Sequence, residues 1–462
     1  MRLLAPLAAA LLIALAPVHA RDWTVPADTG VIGVERAQLE PGYWIARLPQ
    51  ADRVILDAGA IARQNERLYA LDRSMYDLAT LPASLPRATV ATWVRKLSSP
   101  PKSRLFDARG RAIDERALAA IVANANVAGI AAARPARYGL VVHRAPMRAF
   151  PTLQAAFSSD DDRDIDRFQE SALFPGDPVA IAHESRDGQW WFVVSPRYAA
   201  WVEKRHVAVG GREAVLGYGD RVPYRVVTGG EVHTVFTPEA PAVSELQLDM
   251  GVRVPVLADW PVAEAVNGQH GYTSHVIELP VRKADGSLAF SPALLPRIEP
   301  TRDDYLPLTQ ANIVRQAFRF LGERYGWGHD FNGRDCSGFV SEIYRSMGVE
   351  LPRNTSDQAV SPAFNRIALG KDDSREKRLA LVRELQPGDL IYIPGHVMMA
   401  IGTVDGEPYV IHDTTGLSWR DADGSTRRAK TNGVTVSPLT PLMFNGHESF
   451  VDRITNIQRI RP

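Results

Sequence analysis

The residues with the clearest chemical potential are Asp335-Cys336-Ser337-Gly338, which contain the only cysteine of the 462-residue chain. The apolar residues after them recur at helical spacing, which predicts that Cys336 lies on the first turn of a helix. These residues are Phe339, Val340, Ile343, Tyr344 and Met347. Partial positive charge and unpaired amides at a helix N-terminus lower the pKa of a thiol and can hold an oxyanion. Most free cysteines are simply small buried side chains, so a catalytic role also requires a base.

Two histidines, His396 and His412, are the candidates for that base and its partner. A cysteine hydrolase needs an imidazole that exchanges protons with the thiol and the leaving amine, and a polar group that orients it. A two-residue Asp405-Gly406 turn between their strands puts the histidines on opposite faces of the hairpin. A three-residue Val404-Asp405-Gly406 loop makes them diagonal neighbours on one face, with His412 opposite Met398. The sequence leaves both hairpins open.

The first twenty residues have the pattern of a secretory signal peptide. Arg2 precedes an apolar run from Leu3 to Val18, and small residues follow that suit cleavage after Ala20. The run is too short for a membrane span, and no later stretch approaches the ~20 apolar residues that a span requires. We therefore expect an exported protein, periplasmic or extracellular, without membrane insertion. A single cysteine also excludes an internal disulfide.

The charge distribution argues against nucleic acid and metal ions as ligands. Lys plus Arg equals Asp plus Glu at 53 each, so the basic field that attracts nucleic acids is missing. Asp160, Asp162 and Asp164 alternate like calcium ligands, but Ile165 stands where a calcium loop needs glycine and Ser171 where it needs glutamate. The eleven histidines and the cysteine match no structural zinc pattern. We expect no cofactor and an uncharged or zwitterionic partner.

The composition of successive stretches predicts a multidomain protein. The predicted regions, in chain order, are the signal peptide at 1–20, a mostly helical N-terminal bracing domain at 21–133, a first all-β SH3-like barrel at 134–211, a second at 212–297 and an α+β domain at 298–462. Asp57 and Asp114 are predicted helix caps in the bracing domain, and Thr309 in the last domain. Short strands between turn residues indicate the barrels. Their aromatic residues suit a sugar or peptide groove but are more often core; they are Trp190, Trp191, Tyr198, Trp201 and Trp260.

The last domain resembles the NlpC-type cysteine peptidases of bacterial cell walls. Six blocks match in order and spacing: Tyr325-Gly326-Trp327-Gly328, Asp335-Cys336-Ser337-Gly338-Phe339-Val340, Leu351-Pro352-Arg353, Leu385-Gln386-Pro387-Gly388-Asp389-Leu390, His396-Val397 and Val410-Ile411-His412. The upstream helical region and two SH3-like domains are similar to a multidomain branch of that family. One departure is His329-Asp330-Phe331-Asn332, which stands where relatives often have a shorter glycine-rich link.

This resemblance implies a papain-like fold and a reaction. The reaction is hydrolysis of the γ-D-glutamyl–diamino-acid amide bond of murein stem peptides through a cysteine acyl-enzyme. The resemblance implies that Cys336 is the nucleophile, His396 the general base and then acid, and His412 the residue that orients it. Tyr325 matches a tyrosine beside the nucleophile, where its hydroxyl contacts substrate or oxyanion.

The resemblance also implies substrate-binding residues. Asp335 and Ser337 match a pocket for the N-terminal side of the peptide, where a carboxylate suits a free ammonium; a role of Asp335 as a simple helix cap has equal weight. In the multidomain branch the first SH3-like domain closes one end of the cleft, which favours short peptides with a free N-terminal L-alanine. Glu170 and Tyr198 are the candidates for that wall. The alternatives are a non-catalytic protein that binds peptidoglycan, and an amidase or transpeptidase acting on a different amide bond.

Overall fold

The computed structural model describes residues 23–421 and 423–461. The predicted signal peptide and its cleavage position therefore lie outside the described residues. Within the described ranges, no helix combines the length and the apolar character needed to cross a bilayer.

The described N-terminal region combines helices with three short strands and packs against both the last domain and the first β unit. Its elements are α1 (Pro41–Ile45), β1 (Val54–Leu56), α2 (Ala58–Leu71), β2 (Ser84–Pro86), α3 (Arg87–Leu97), α4 (Glu115–Asn124) and β3 (Ala133–Pro135). Asp57 and Asp114 cap α2 and α4 as predicted, each accepting a hydrogen bond from an amide of the first turn, a contact typically worth about 1 kcal/mol. Trp44 is buried in the core of the last domain, and Val54 of β1 pairs with Thr309.

A single seven-stranded antiparallel sheet forms the first β unit. Its strands are β4 (Arg137–Val141), β5 (Ala145–Arg148), β6 (Gln169–Leu173), β7 (Pro178–Glu184), β8 (Trp190–Val194), β9 (Ala199–Glu203) and β10 (Val207–Gly210), in the spatial order β10-β4-β7-β8-β9-β5-β6. Trp190, Trp191 and Trp201 are at most 5% exposed. These three tryptophans therefore belong mainly to the core of the unit.

The second β unit consists of one helix and three small sheets. Its elements are α5 (Arg212–Leu216), β11 (Tyr224–Val227), β12 (Glu231–His233), β13 (Gln247–Asp249), β14 (Arg253–Pro255), β15 (Ser274–Arg282), β16 (Leu288–Pro296) and β17 (Thr301–Arg302). The sheets are β14-β11-β17, β12-β13 and β15-β16. Val227, Leu248 and Ile277, one from each sheet, lie in one buried cluster that joins the three.

The last domain has the predicted helix and antiparallel-sheet arrangement. Its elements are β18 (Leu308–Thr309), α6 (Gln310–Phe318), α7 (Cys336–Arg345), α8 (Thr355–Val360), β19 (Asn365–Ala368), α9 (Arg375–Arg383), β20 (Leu390–Ile393), β21 (His396–Val404), β22 (Glu407–Thr414), β23 (Leu417–Arg420), β24 (Thr426–Ala429), β25 (Gly433–Pro438), α10 (Phe450–Arg453) and β26 (Asn456–Arg459). Thr309 caps α6 as predicted. The central sheet has the order β19-β26-β20-β21-β22-β25. Helices α6 and α7 pack on one face and α9 and α10 on the other.

Of the two predicted hairpins, the structure has the one with a two-residue turn between β21 and β22. Val404 pairs with Glu407, so only Asp405-Gly406 lies between the strands. Both turn residues have positive φ, 53° and 78°, as in the turns that match the right-handed twist of a hairpin. By itself this turn places His396 and His412 on opposite faces.

A β-bulge in β21 reverses that consequence. Ile401 is the extra residue, because the ladder passes directly from the pair that includes Ala400 to the pair that includes Gly402. On the N-terminal side of the bulge, Met399 pairs with Ile411. Continuing this antiparallel register by one residue puts His412 opposite Met398. This is the register expected of the three-residue loop. The prediction that a two-residue turn separates the histidines is therefore wrong, because neither predicted hairpin included a bulge.

The N-terminal region covers this bulge. Gly402 has a φ of 147°, and a Cβ there would lie 3.2 Å from Cε3 of Trp44. The Trp44 ring also packs on Tyr409, with ring centroids 5.2 Å apart. A bulky side chain at residue 402 would therefore displace Trp44 from the strand pair that carries both histidines.

Candidate active site

Cys336 begins helix α7 directly after its N-cap residue, Asp335. Oδ1 of Asp335 accepts a hydrogen bond from the amide of Gly338 at 2.8 Å. The Cys336 side chain is buried, and its Sγ lies 3.5 Å from Oγ1 of Thr355. The backbone amide of Val397 also donates toward the sulfur. The thiol is thus held where α7, α8 and the start of β21 meet.

The environment of the sulfur favours the neutral thiol. Burial raises the pKa of Cys336 to about 12, and the negative charge of Asp335 adds to the rise. Hydrogen bonds from Thr355 and from the amide of Val397 act in the opposite direction without cancelling it. The prediction that the helix N-terminus gives a lowered thiol pKa is therefore wrong, because burial outweighs the effect of the helix. A thiolate must form by proton transfer to a nearby base.

The two candidate histidines contact each other directly. Nε2 of His396 lies 2.7 Å from Nδ1 of His412, and Nε2 of His412 lies 3.2 Å from Oγ of Ser437. Burial lowers the pKa of His396 to about 4 and that of His412 well below its usual value, so both rings are neutral near pH 7. Because Nε2 of His396 faces His412, Nδ1 is the nitrogen left to exchange a proton with a reacting group. His396 immediately precedes Val397, whose amide points at the Cys336 sulfur.

Tyr325 is electrostatically coupled to the thiol. It is buried, and its backbone amide donates to the carbonyl of Asn432 at 3.0 Å. Burial raises the pKa of its phenol, and the negative charge of an ionised Cys336 raises it further. Asp413, the residue after His412, acts in the same direction on both groups. Tyr325 is therefore a neutral hydrogen-bond donor on the thiol side of the site.

The carboxyl group of Asp413 has an unusual environment. Neither of its oxygens has a hydrogen-bond partner among the residues that the structure describes, and both oxygens are buried. Burial raises the pKa of Asp413 well above its usual value, with Glu323 and Asp335 adding to the rise. Asp413 therefore keeps its proton to higher pH than an exposed aspartate does. The sequence analysis did not identify it, although it follows His412 directly.

Arg353 joins the residues predicted to bind substrate. Its Nη2 donates to Oδ2 of Asp335 at 2.8 Å, its Nη1 to Oγ of Ser337 at 2.9 Å, and its Nε to Oγ of Ser171 at 2.7 Å. Burial acts to raise the pKa of Asp335, but Arg353 and His329 outweigh it and hold this pKa at about 2. Asp335 is therefore an ionised carboxylate that combines the helix cap with a buried ion pair.

Glu170 and Tyr198, the candidates for the wall of the cleft, form a pair in the first β unit. The Tyr198 hydroxyl donates to Oε2 of Glu170. Burial raises the pKa of Glu170, while Tyr198 and Arg353 act to lower it. The backbone carbonyl of Glu170 also accepts from Nη2 of Arg353 at 3.4 Å. Arg353 thus connects this pair with Asp335, which lies next to the nucleophile.

The loop that departs from the family pattern forms the contact between the first β unit and the last domain. Nε2 of Gln169 donates to the carbonyl of Gly328 at 2.7 Å. His329 is buried, with Nδ1 2.9 Å from Nη2 of Arg353 and Nε2 2.9 Å from Oε1 of Glu342. The extra loop residues therefore contribute a buried histidine that contacts the same Arg353 nitrogen as Asp335 does.

A second buried arginine, Arg334, binds three carboxylates. Its Nε lies 2.5 Å from Oε2 of Glu342, its Nη1 2.8 Å from Oε2 of Glu323, and its Nη2 3.2 Å from Oδ1 of Asp249. Nη2 also donates to the carbonyl of Gly230 at 3.0 Å. Asp249 and Gly230 belong to the second β unit, so this network ties that unit to helix α7.

The acidic loop of the first β unit also reaches the last domain. Asp164 accepts from Nη2 of Arg324 at 2.5 Å and from Nδ2 of Asn432 at 3.2 Å, and Nζ of Lys430 lies 3.1 Å from its Oδ2. Within residues 23–421 and 423–461, no group of three His, Cys, Asp or Glu side chains is arranged to hold a metal ion. Asp164 is thus an interdomain contact beside Tyr325, whose amide also binds Asn432.

Comparison with known proteins identifies two domains in the chain. Residues 322–436 match the NlpC/P60 family, and residues 151–203 match the SH3 domain of the SH3b1 type. A gamma-D-glutamyl-L-lysine dipeptidyl-peptidase from Bacillus cereus is 30% identical over 169 residues, which are 34% of this chain and 41% of that protein. The probable endopeptidase p60 of Listeria seeligeri is 29% identical over 118 residues, which are 24% of this chain and 19% of that protein. The chain therefore spans less than half the length of either relative.

A solved structure has a similar fold over most of the chain. It is that of an NlpC/P60 endopeptidase from Photobacterium damselae subsp. piscicida, with a TM-score of 0.72 and 17% sequence identity. The similarity covers 90% of this chain and 96% of the other. At this level of identity the two proteins share a multidomain fold.

Proposed function

Because residues 322–436 belong to the NlpC/P60 family of cysteine peptidases and follow an SH3 domain, we propose that this protein is an exported murein peptidase. It hydrolyses the γ-D-glutamyl–diamino-acid amide bond of stem peptides. The observation that carries the proposal is the direct His396–His412 contact at the strand whose Val397 amide points at Cys336. The signal-peptide pattern of residues 1–20 supports export to the periplasm or the exterior.

The reaction begins with a neutral thiol and a neutral imidazole. Nδ1 of His396 takes the thiol proton while Sγ of Cys336 attacks the carbonyl carbon of the γ-D-glutamyl group. Charge develops on the carbonyl oxygen at the start of α7, where helix amides and the Tyr325 hydroxyl are suited to stabilise it. The imidazolium donates its proton to the amine of the diamino acid, which leaves, and a thioester remains.

Hydrolysis of the thioester restores the enzyme. A water molecule enters after the amine has left, and Nδ1 of His396 takes a proton from it as it adds to the thioester carbon. The C–S bond then breaks and the proton returns to the sulfur, which releases the γ-carboxyl of D-glutamate. Throughout the reaction, Nδ1 of His412 contacts Nε2 of His396 and so keeps the His396 ring oriented.

The pair of Glu170 and Tyr198 supports a preference for short peptides with a free N-terminus. Both side chains are half-buried, and Arg353 connects them with the buried Asp335, which directly precedes Cys336. An ammonium group suits such a site, because a buried carboxylate that gains a cation recovers part of its desolvation cost. We propose that Glu170 receives the N-terminal ammonium of L-alanine. A stem peptide whose L-alanine is still attached to the glycan has no such ammonium.

Three substrates test the proposed function. The protein is incubated with L-Ala-γ-D-Glu-diaminopimelate, with its N-acetylated form and with purified sacculi, and products are identified by mass spectrometry. We expect L-Ala-γ-D-Glu and diaminopimelate from the first substrate, and little product from the other two. Cleavage at a different amide bond would instead identify an amidase or transpeptidase. Retention on sacculi without product from any substrate would identify a non-catalytic wall-binding protein.

The variant Glu170→Gln tests the wall of the cleft. It keeps the shape of the side chain and removes the charge, so kcat/KM for the free tripeptide is expected to fall about 10- to 100-fold, as for loss of a charged hydrogen bond. The small activity on the N-acetylated peptide should be unchanged. Glu184→Gln is the matched control, because Glu184 lies on β7 of the same unit and pairs with Lys204. An equal loss of activity on both peptides would contradict ammonium recognition and indicate a structural role.

A further inference from the structure

The contact between the two histidines continues to a serine on the neighbouring strand. Ser437 lies on β25, opposite Val410 in register, and is fully buried. Its Oγ is 3.2 Å from Nε2 of His412, whose Nδ1 is 2.7 Å from Nε2 of His396. Ser437 is thus the outer end of a chain of three polar side chains. The inner end is Nδ1 of His396, the atom assigned to deprotonate Cys336.

The direction of these hydrogen bonds decides whether His396 can act as a base. A neutral imidazole carries a hydrogen on one nitrogen, and its contacts determine which one. If Nε2 of His412 donates to Ser437, its Nδ1 accepts the Nε2 hydrogen of His396. Nδ1 of His396 then has an available lone pair. If the serine hydroxyl donates instead, both rings reverse, and a hydrogen on Nδ1 of His396 prevents proton transfer from the thiol.

We propose that Ser437 is a positioning residue that accepts the Nε2 hydrogen of His412 and thereby holds His396 in the tautomer able to deprotonate Cys336. This inference rests on the proposed function. When His396 takes the thiol proton on Nδ1, its Nε2 still donates to His412, and His412 still donates to Ser437. The positive charge of the imidazolium is therefore spread along fixed hydrogen bonds. The proton on Nδ1 alone moves on, to the leaving amine.

Substitutions at residue 437 test the proposal by kinetics. Ser437→Ala removes the acceptor, and kcat is expected to fall about 10- to 100-fold, as for loss of a residue that orients a histidine through its second nitrogen. KM should change little, and the acid limb of the pH profile of kcat/KM should move to lower pH, because the His396 imidazolium loses support. Ser437→Thr keeps the hydroxyl and should restore both kcat and the pH profile. A parallel loss in Ser437→Ala and Ser437→Thr overturns the proposal, as does a wild-type pH profile in Ser437→Ala.

The chain offers a matched control for the loss of a buried hydroxyl. Ser361 is also fully buried, and its Oγ has no hydrogen-bond partner among the described residues. Ser361→Ala should keep the kcat and the pH profile of the wild type. A shift of the acid limb in Ser361→Ala equal to that in Ser437→Ala would overturn the specific role of Ser437.

The tautomer can be measured without substrate. Nuclear magnetic resonance of protein labelled with ¹⁵N-histidine distinguishes a hydrogen on Nδ1 from one on Nε2. We expect His412 to carry its hydrogen on Nε2 in the wild type and in Ser437→Thr, and to be a mixture in Ser437→Ala. A hydrogen on Nδ1 of His412 in the wild type overturns the proposal. The expected tautomer in a protein that cleaves no peptide would support the role of Ser437 and overturn only the proposed function.

Discussion

Replacing Cys336 by alanine should slow the cleavage of L-Ala-γ-D-Glu-diaminopimelate by at least about 10⁴-fold, since the only nucleophile of the proposed mechanism is lost. His396→Ala should cause a loss of similar size. Because the two residues act in one step, the double variant should be no slower than the slower single variant. Initial rates of diaminopimelate release measure all three. A wild-type rate in Cys336→Ala would reject the assignment of the nucleophile.

The single cysteine of the chain allows an independent control for this prediction. Cys336 is the only thiol available to iodoacetamide, so the fraction of wild-type molecules alkylated at Cys336 should equal the fraction of activity lost. Since burial raises the pKa of this thiol to about 12, alkylation at pH 7 should be slower than that of an exposed cysteine. Melting temperatures of wild type and Cys336→Ala, compared in parallel, separate loss of the nucleophile from loss of the fold. Full alkylation with retained activity contradicts the mechanism.

Local patterns were sufficient to predict the element that carries the thiol. The helix from Cys336 follows from the apolar spacing after it, and the Asp335 cap follows from the type of residue before it. Both depend on interactions within a few residues, which the sequence contains completely. The pKa of the thiol depends on burial by distant segments, and the same local argument predicted its direction wrongly.

The hairpin of the two histidines shows a different limit of the sequence. Its turn residues, Asp405-Gly406, are typical of a two-residue turn, and the structure has that turn. The bulge at Ile401 has a weaker local signal, the isolated strand glycine Gly402, and neither predicted hairpin took it into account. Trp44, from a segment more than three hundred residues earlier, packs against Gly402 in this bulge. A one-residue shift exchanges the faces of a strand, so this distant contact matters for the candidate site.

The supporting residues of the site were missed for a related reason. Arg353 stood in a recognised block of the sequence without a role, and His329 was noted only as a departure in loop length. Their function in the structure depends on partners from two domains, such as Ser171 of the first β unit. Long-range ion pairs have no periodicity in the sequence. Two features of the sequence could have indicated these residues. Arg353 is a charged residue after two apolar ones in its block, and His329 is a histidine in an extended loop.

The largest expected effect on stability follows from Arg334. Replacing it by methionine leaves the buried Glu342 without its main cation, and the buried Asp249 keeps only Arg144 of its two arginine partners. Breaking a buried ion pair by removal of one partner typically costs about 3–5 kcal/mol, because the remaining charge stays desolvated. We therefore expect the free energy of unfolding of Arg334→Met, measured by urea denaturation at pH 7, to fall by about that amount. Arg427→Met is the control: Arg427 pairs with Asp421 at the surface, where a pair is worth at most about 1 kcal/mol.

A second substitution distinguishes an unpaired charge from lost packing as the cause. The Arg334 side chain also lies over the ring of Phe320, with its guanidinium carbon 4.2 Å from the ring centroid. If the cost arises from the uncompensated carboxylate, adding Glu342→Gln to Arg334→Met should recover part of the lost stability. If the cost arises from packing on Phe320, the double variant should be no more stable than the single one. Glu342 also binds His329, which contacts Arg353. Recovery in the double variant would therefore mean that charge balance, rather than packing on Phe320, sets the contribution of this network to stability.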